Sequence, residues 1–241
     1  MLGTKLLDLL WPSQCAGCDD PVSKPGLCTV CMETLVPATD VSCSQCGSVF
    51  LDLPPNTVGY SCGSCLIRAP SYHQGRAAFA YGGALKHAIV RWKNTPLPEL
   101  SAVMAELMVS QADAMGWSTL PKDTVAIPVP TSLGRALKRG FNPAGQLASG
   151  LAKRLGLPCR ADALVVTSTQ QTSRGLTRTQ RKRRTQRFRA LPWIRGKALL
   201  LVDDVRTTGA TINHAARTLT KLGVSRLDIA LLADVPSSQP S

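Results

Sequence analysis

Ala198-Leu199-Leu200-Leu201-Val202-Asp203-Asp204-Val205-Arg206-Thr207-Thr208-Gly209-Ala210-Thr211 opens with five consecutive apolar residues and then changes character abruptly. An unbroken apolar run of that length predicts a strand covered on both faces, as in a parallel sheet. Asp203 and Asp204 are expected at its tip, followed by a hydroxyl-rich turn with one glycine and then a helix. Ile212, Ala215, Ala216, Leu219 and Leu222 carry the helical period, Gly223 stops it, and Leu227–Leu232 reads as a last strand before a polar tail from Pro236.

Upstream, the same alternation repeats. Thr124–Val129 is a short apolar run, Asn142-Pro143 offers an N-cap with proline at the first helical position, and Leu147, Ala148, Leu151 and Leu155 build one face before Gly156. Ala163–Thr167 reads as another strand. Earlier still, a strand at Ala77–Tyr81 precedes a helix carrying Leu85, Ala88, Ile89 and Trp92. Pro96 and Pro98 separate it from a second helix with Leu100, Val103, Met104, Leu107 and Met108. The Trp and Met positions fit a core, and His87 an exposed helix surface. The pattern predicts an α/β fold, a mostly parallel sheet with helices on both faces.

Ligands of such sheets lie beyond the carboxyl ends of the strands. A turn whose backbone N–H groups and Thr hydroxyls converge at a helix N-terminus suits a phosphate. Two adjacent acids beside it suit sugar hydroxyls or hydrated Mg²⁺. An apolar strand ending in acids is also shared by Walker B, but no G-x4-G-K-[ST] exists in the chain, and G-x-G-x-x-G is missing after the candidate strands.

Eight of nine cysteines form four C-x2-C pairs: Cys15 with Cys18, Cys28 with Cys31, Cys43 with Cys46, and Cys62 with Cys65. Each pair offers two corners of a tetrahedron, so four pairs make two structural zinc sites. Pairing in chain order is favoured by the short first loop, with an interleaved arrangement as the alternative. The rival disulfide framework lacks a secretory signal to accompany it. Closed four-cysteine sites leave no position for substrate and serve folding. Residues 1–70 are thus expected to form a double zinc-ribbon module and 71–241 the α/β domain. Cys159 reads as a small buried apolar residue.

The 241 residues carry 28 Lys and Arg against 15 Asp and Glu, a net charge of +13. No acid occurs between Asp162 and Asp203, while Arg174, Arg178, Arg181, Lys182, Arg183, Arg184, Arg187, Arg189, Arg195 and Lys197 fall there. Such a block points to nucleic acid or a multiply phosphorylated small molecule, against the plainer reading of a solvated basic loop. No apolar stretch approaches the roughly 20 residues that span a bilayer. Met1–Trp11 reads as a short amphipathic helix, without the cleavage site of a signal peptide.

Leu200 through Thr211 resembles the signature of type I phosphoribosyltransferases, which bind 5-phosphoribosyl 1-pyrophosphate (PRPP). With the cysteine-rich start, Tyr81-Gly82-Gly83-Ala84-Leu85-Lys86 and Lys93, Val129-Pro130 through Arg135, Arg139-Gly140-Phe141-Asn142, Gln146-Leu147-Ala148, and Gln180 with Arg181, Arg184 and Phe188, the chain is similar to the ComF/GntX family of competence-associated, phosphoribosyltransferase-like proteins. The resemblance implies that Asp203 and Asp204 engage the ribose hydroxyls, directly or through Mg²⁺, and that Thr207, Thr208, Gly209, Ala210 and Thr211 wrap the 5′-phosphate. It places Pro130 to Gly134 at the pyrophosphate, with Arg135 or Arg139 adding charge. The basic loop, with Arg178, Arg181 and Arg184, would close over the site as a lid or contact nucleic acid. Arg206 stands where many family members vary, which excludes nothing. The implied setting is a bacterial cytoplasm, with single-stranded DNA and a helicase-like competence protein as partners. The acceptor base does not follow. A non-catalytic sensor of PRPP or a nucleotide, aiding DNA uptake, is the alternative to a Mg²⁺-dependent transferase.

Overall fold

The computed structural model describes residues 13–237 except 40, 55, 56, 58, 96 and 169–186. The expected helix at Met1–Trp11 and most of the basic block, including Arg178, Arg181 and Arg184, lie outside the described residues.

Four parallel strands make the central sheet: β3 (Gln74–Ala80), β4 (Val125–Pro128), β7 (Ala198–Arg206) and β8 (Arg226–Asp234), in the order β3-β8-β7-β4. The uninterrupted apolar runs are explained by burial on both sides: every residue of Ala198–Val202 and of β4 is buried. Leu200 and Val202 face one core with Trp92, Met104, Leu147 and Leu151. These come from α3 (Gly83–Asn94), α4 (Pro98–Ser110) and α6 (Pro143–Leu155). Leu199 and Leu201 face the other, built with Ile212, Ala215, Ala216 and Leu219 of α7 (Ala210–Leu222). Glycines at positive φ, Gly156 (68°) and Gly223 (85°), terminate α6 and α7 as the sequence indicates.

Several expectations need correction. The strand does not end at Val202: β7 continues to Arg206, so the two acids lie inside its last turn of pairing rather than beyond it. Residues Arg187–Ala190, read as loop, form β6, which pairs antiparallel with β5 (Leu164–Ser168). A seven-residue helix, α5 (Leu133–Arg139), follows β4. Cys159 is exposed, because it bridges to Ala126 at the sheet's open edge rather than entering the core. Asn142 occupies the cap position of α6, yet its side chain donates to the Val129 carbonyl and ties the helix to the end of β4.

The cysteine-rich segment is short-range in structure: β1 (Ser13–Gln14), β2 (Pro21–Val22), α1 (Thr29–Glu33) and α2 (Gly63–Ile67). It packs on both sides of the sheet. Ala16 joins the first core, and Ala38 and Val49 the second. The Ala38 N–H donates to Ala78 of the edge strand β3, and Gly75 donates to Gln45. Gly47, at φ +70°, lies so close to Gly75 that a Cβ there would fall 2.5 Å from its carbonyl oxygen.

Candidate functional site

The carboxyl ends of β7, β4 and β3 bring three loops together. From β7 come Asp203 and Asp204, half-buried, and then the exposed Thr207, Thr208, Ala210 and Thr211 around Gly209. Gly209 sits at φ +70° as the residue before α7, where a side chain would be strained. The Ala210 N–H donates to Thr208 Oγ1 at 3.4 Å. The rest of this turn faces solvent at the positive end of a thirteen-residue helix.

The acids are individually fixed. Asp203 Oδ1 accepts from the Asp204 N–H at 2.9 Å, and Asp204 Oδ1 from the Val205 N–H at 2.5 Å. Lys93, in the last turn of α3, reaches Asp204 Oδ2 at 2.9 Å with both side chains largely covered. Arg135 lies on α5, its Nε donating to Ser132 Oγ at 3.1 Å. Arg139 is half-buried at the end of α5 and makes no ion pair or hydrogen bond among the described residues.

Burial, and after it the Asp204 carboxylate, push Asp203 up to about 8; the Asp204 N–H, Lys93 and Arg135 act in the opposite direction. The folded protein therefore holds a proton here that the unfolded chain, near 3.8, releases. The stabilisation is fully present below about pH 3.8 and is lost as pH rises through 8. In zinc-loaded protein without Mg²⁺, Asp203→Asn is expected to remove up to about 1 kcal/mol per pH unit from the fall in stability between pH 6 and 8. Thermal melts of wild type and variant across that range check it, and parallel curves would contradict it.

Beside the turn stands a second constellation that the sequence did not disclose. Arg206 is only 6% exposed; Nε pairs with Asp234 Oδ1 at 2.5 Å, and Nη1 donates to the Cys46 carbonyl at 2.6 Å. Asp234 Oδ2 accepts from the Val49 N–H at 2.8 Å. Arg206 and Asp234 are register partners on β7 and β8, so opposite charges ending two adjacent apolar strands were the signal available. They lock the turn to the cysteine-rich segment.

The eight cysteines gather into two groups in chain order, Cys15, Cys18, Cys28 and Cys31, then Cys43, Cys46, Cys62 and Cys65. Within each group the sulfur atoms lie within 4.8 Å of one another. Four thiolate donors at that spacing fit tetrahedral zinc. Cys18 is exposed in the first group, and all four are buried in the second. The first leans on α3, where Arg91 donates to the Cys15 carbonyl and pairs with Asp19.

A family model described as phosphoribosyl transferase domain matches residues 136–241, and one described as double zinc ribbon domain matches residues 6–66. The DNA utilization protein YhgH of Salmonella typhi is 30% identical over 224 residues, covering 90% of this chain and 95% of the relative. Competence protein F of Haemophilus influenzae is 28% identical over 217 residues, covering 88% and 92%. Among solved structures, hypoxanthine phosphoribosyl transferase of Trypanosoma cruzi aligns with a TM-score of 0.36 at 18% identity, over 57% of this chain and 74% of that one.

Proposed function

The chain belongs to the family of the DNA utilization protein YhgH and competence protein F, and we propose that its type I phosphoribosyltransferase fold binds PRPP with Mg²⁺ and transfers the phosphoribosyl group. What supports this is one juxtaposition: two fixed acids on β7 run directly into an exposed, hydroxyl-lined turn at the N-terminus of α7. The spacing suits a phosphorylated pentose, with the ribose 2′- and 3′-hydroxyls donating to Asp203 and Asp204. The 5′-phosphate would sit on the N–H groups of Thr208 to Thr211.

Oxygen donors of this kind fit Mg²⁺, which keeps much of its water and takes one or two carboxylates together with substrate phosphates. Asp204 is already matched by Lys93, so the ion would arrive with PRPP and be shared by Asp203 and Asp204. When bound, it would offset charge on the departing pyrophosphate. The protein's own part is positioning. Lys93 holds Asp204 at the ribose, and Arg135 and Arg139 supply positive charge on the side where pyrophosphate leaves. The ribose C1–O bond breaks with its electron pair going to pyrophosphate, and a basic nitrogen of the acceptor forms the new bond. Little proton transfer is required, in keeping with the lack of a Ser/His/Asp or Cys/His set among the described residues.

PRPP with Mg²⁺ is expected to raise the melting temperature of wild type, by roughly 2.7 kcal/mol of linkage at a hundredfold excess over Kd. Asp203→Ala should abolish the shift, and an unchanged shift would overturn the assignment. Release of pyrophosphate on adding candidate bases then separates transferase from sensor.

A second reading has its own support in the +13 charge and in relatives named for DNA utilization and competence. In it the chain handles single-stranded DNA alongside a helicase-like partner in the cytoplasm, through Arg178, Arg181 and Arg184, and the pocket senses PRPP. Such binding would fall steeply with salt and survive Asp204→Ala. Salt-independent binding, or none, would remove this reading.

A further inference from the structure

The stretch between Cys43 and Cys46 hands three consecutive carbonyls to the sheet. Ser44 accepts from Arg76 Nη1 at 2.8 Å, Gln45 from the Gly75 N–H at 2.8 Å, and Cys46 from Arg206 Nη1 at 2.6 Å. The first two donors belong to β3. The third ends β7, immediately before the hydroxyl-lined turn.

Arg206 carries that contact onward. Its Nε is held by Asp234 Oδ1, and its backbone carbonyl accepts from the Val235 N–H at 2.9 Å, so both ends of the residue are fixed. Between them, Cδ and Cγ of its stem pass under Gly209, where a Cβ would lie 3.5 and 3.9 Å from them. Gly209 gives the turn its left-handed bend, at φ +70°, just before α7. Two contacts therefore separate a zinc-ligating residue from the turn: the Cys46 carbonyl with the guanidinium, and the arginine stem with Gly209. A C-x2-C pair keeps its conformation because the metal fixes both thiolates. Without the ion, Cys43 and Cys46 lose their common anchor, and the Cys46 carbonyl loses its fixed position.

From this geometry we propose that zinc in the second cluster and PRPP at the turn are coupled, with Arg206 as the positioning residue between them. The proposal rests on the assignment of the turn to the 5′-phosphate. Zinc holds the Cys46 carbonyl, the carbonyl holds Arg206, and Arg206 holds the turn in the shape that receives phosphate. Linkage makes the effect reciprocal, so each ligand tightens the other by the same factor. The second cluster thus regulates the pocket as well as serving the fold.

The test follows zinc loss at equilibrium in buffers of stepped free zinc, using the full chain with Mg²⁺, with and without PRPP. Calorimetric titration of PRPP into zinc-loaded protein runs alongside. In wild type, saturating PRPP should lower by about tenfold the free zinc at which one of the two equivalents dissociates. Arg206→Lys keeps a cation for Asp234 but lacks the fork that also reaches Cys46, and should cut the shift to less than about twofold. Should the lysine variant fail to fold, Arg206→Met with Asp234→Asn leaves no unpaired charge and is expected to give the same loss. An Arg206 with a merely structural role would weaken zinc and PRPP separately in the variants yet leave the shift between them intact, which overturns the proposal. Wild type that binds PRPP with no change in zinc affinity overturns it too. Absence of PRPP binding in the titration sinks the phosphoribosyl reading, and the coupling with it.

Discussion

Cys65→Ser yields a chain that holds one zinc ion in place of two and melts far below wild type. Structural zinc contributes about 10–16 kcal/mol in zinc-finger peptides at neutral pH. Here the second cluster has only a small core of its own, to which Phe50 and Leu53 are added, with Tyr60 and Tyr72 at the margin. Its loss would also release the Gln45–Gly75, Cys46–Arg206 and Val49–Asp234 bonds that fasten it to the sheet. Cys18→Ser is expected to do less, because that ligand is exposed and its cluster leans on α3 through Arg91 instead. Elemental analysis with thermal melts distinguishes the cases. Wild type carrying a single zinc, or Cys65→Ser melting within a few degrees of it, would refute this assignment.

Arg206→Ala is the second large effect. It strands the Asp234 carboxylate, 2% exposed, without its cation, and a broken buried pair typically costs about 3–5 kcal/mol. For a domain of this size that lowers the melting temperature by roughly 10 °C. Adding Asp234→Asn should recover part of the loss, since the amide oxygen can still accept from the Val49 N–H while the unpaired charge is gone. If the double variant is less stable than Arg206→Ala, the pair is not the source of the destabilisation. The same single variant should loosen the turn at Thr207–Gly209, read as faster amide exchange there, because the Arg206 side chain lies beneath Gly209.

The elements that sequence disclosed are those whose cause is local. Ala198–Val202 is apolar without interruption because both its faces are covered, and Ile212 to Leu219 repeats at the helical period because one face is. The cysteine spacing disclosed two clusters, and the chain order favoured by the short first loop is the one the structure has. The continuation of β7 through Asp203 to Arg206 was hidden by polar residues that a strand propensity disfavours, yet pairing with β8 carries them. Phe188 in β6 is buried amid a basic run, and only its partner Val166 reveals the strand. Cys159 was misjudged because edge position, not residue type, sets its exposure. The lock between Arg206, Asp234, Cys46 and Val49 joins residues up to 185 apart in sequence, and no local pattern encodes such a contact.

A crystal structure of the zinc-loaded chain with PRPP and Mg²⁺ puts the pocket to the sharpest test. The 5′-phosphate should rest on the backbone N–H groups of Thr208 to Thr211, with the ribose hydroxyls within hydrogen-bonding distance of Asp203 and Asp204. PRPP bound away from that turn, or a turn filled by the protein's own side chains, would contradict it.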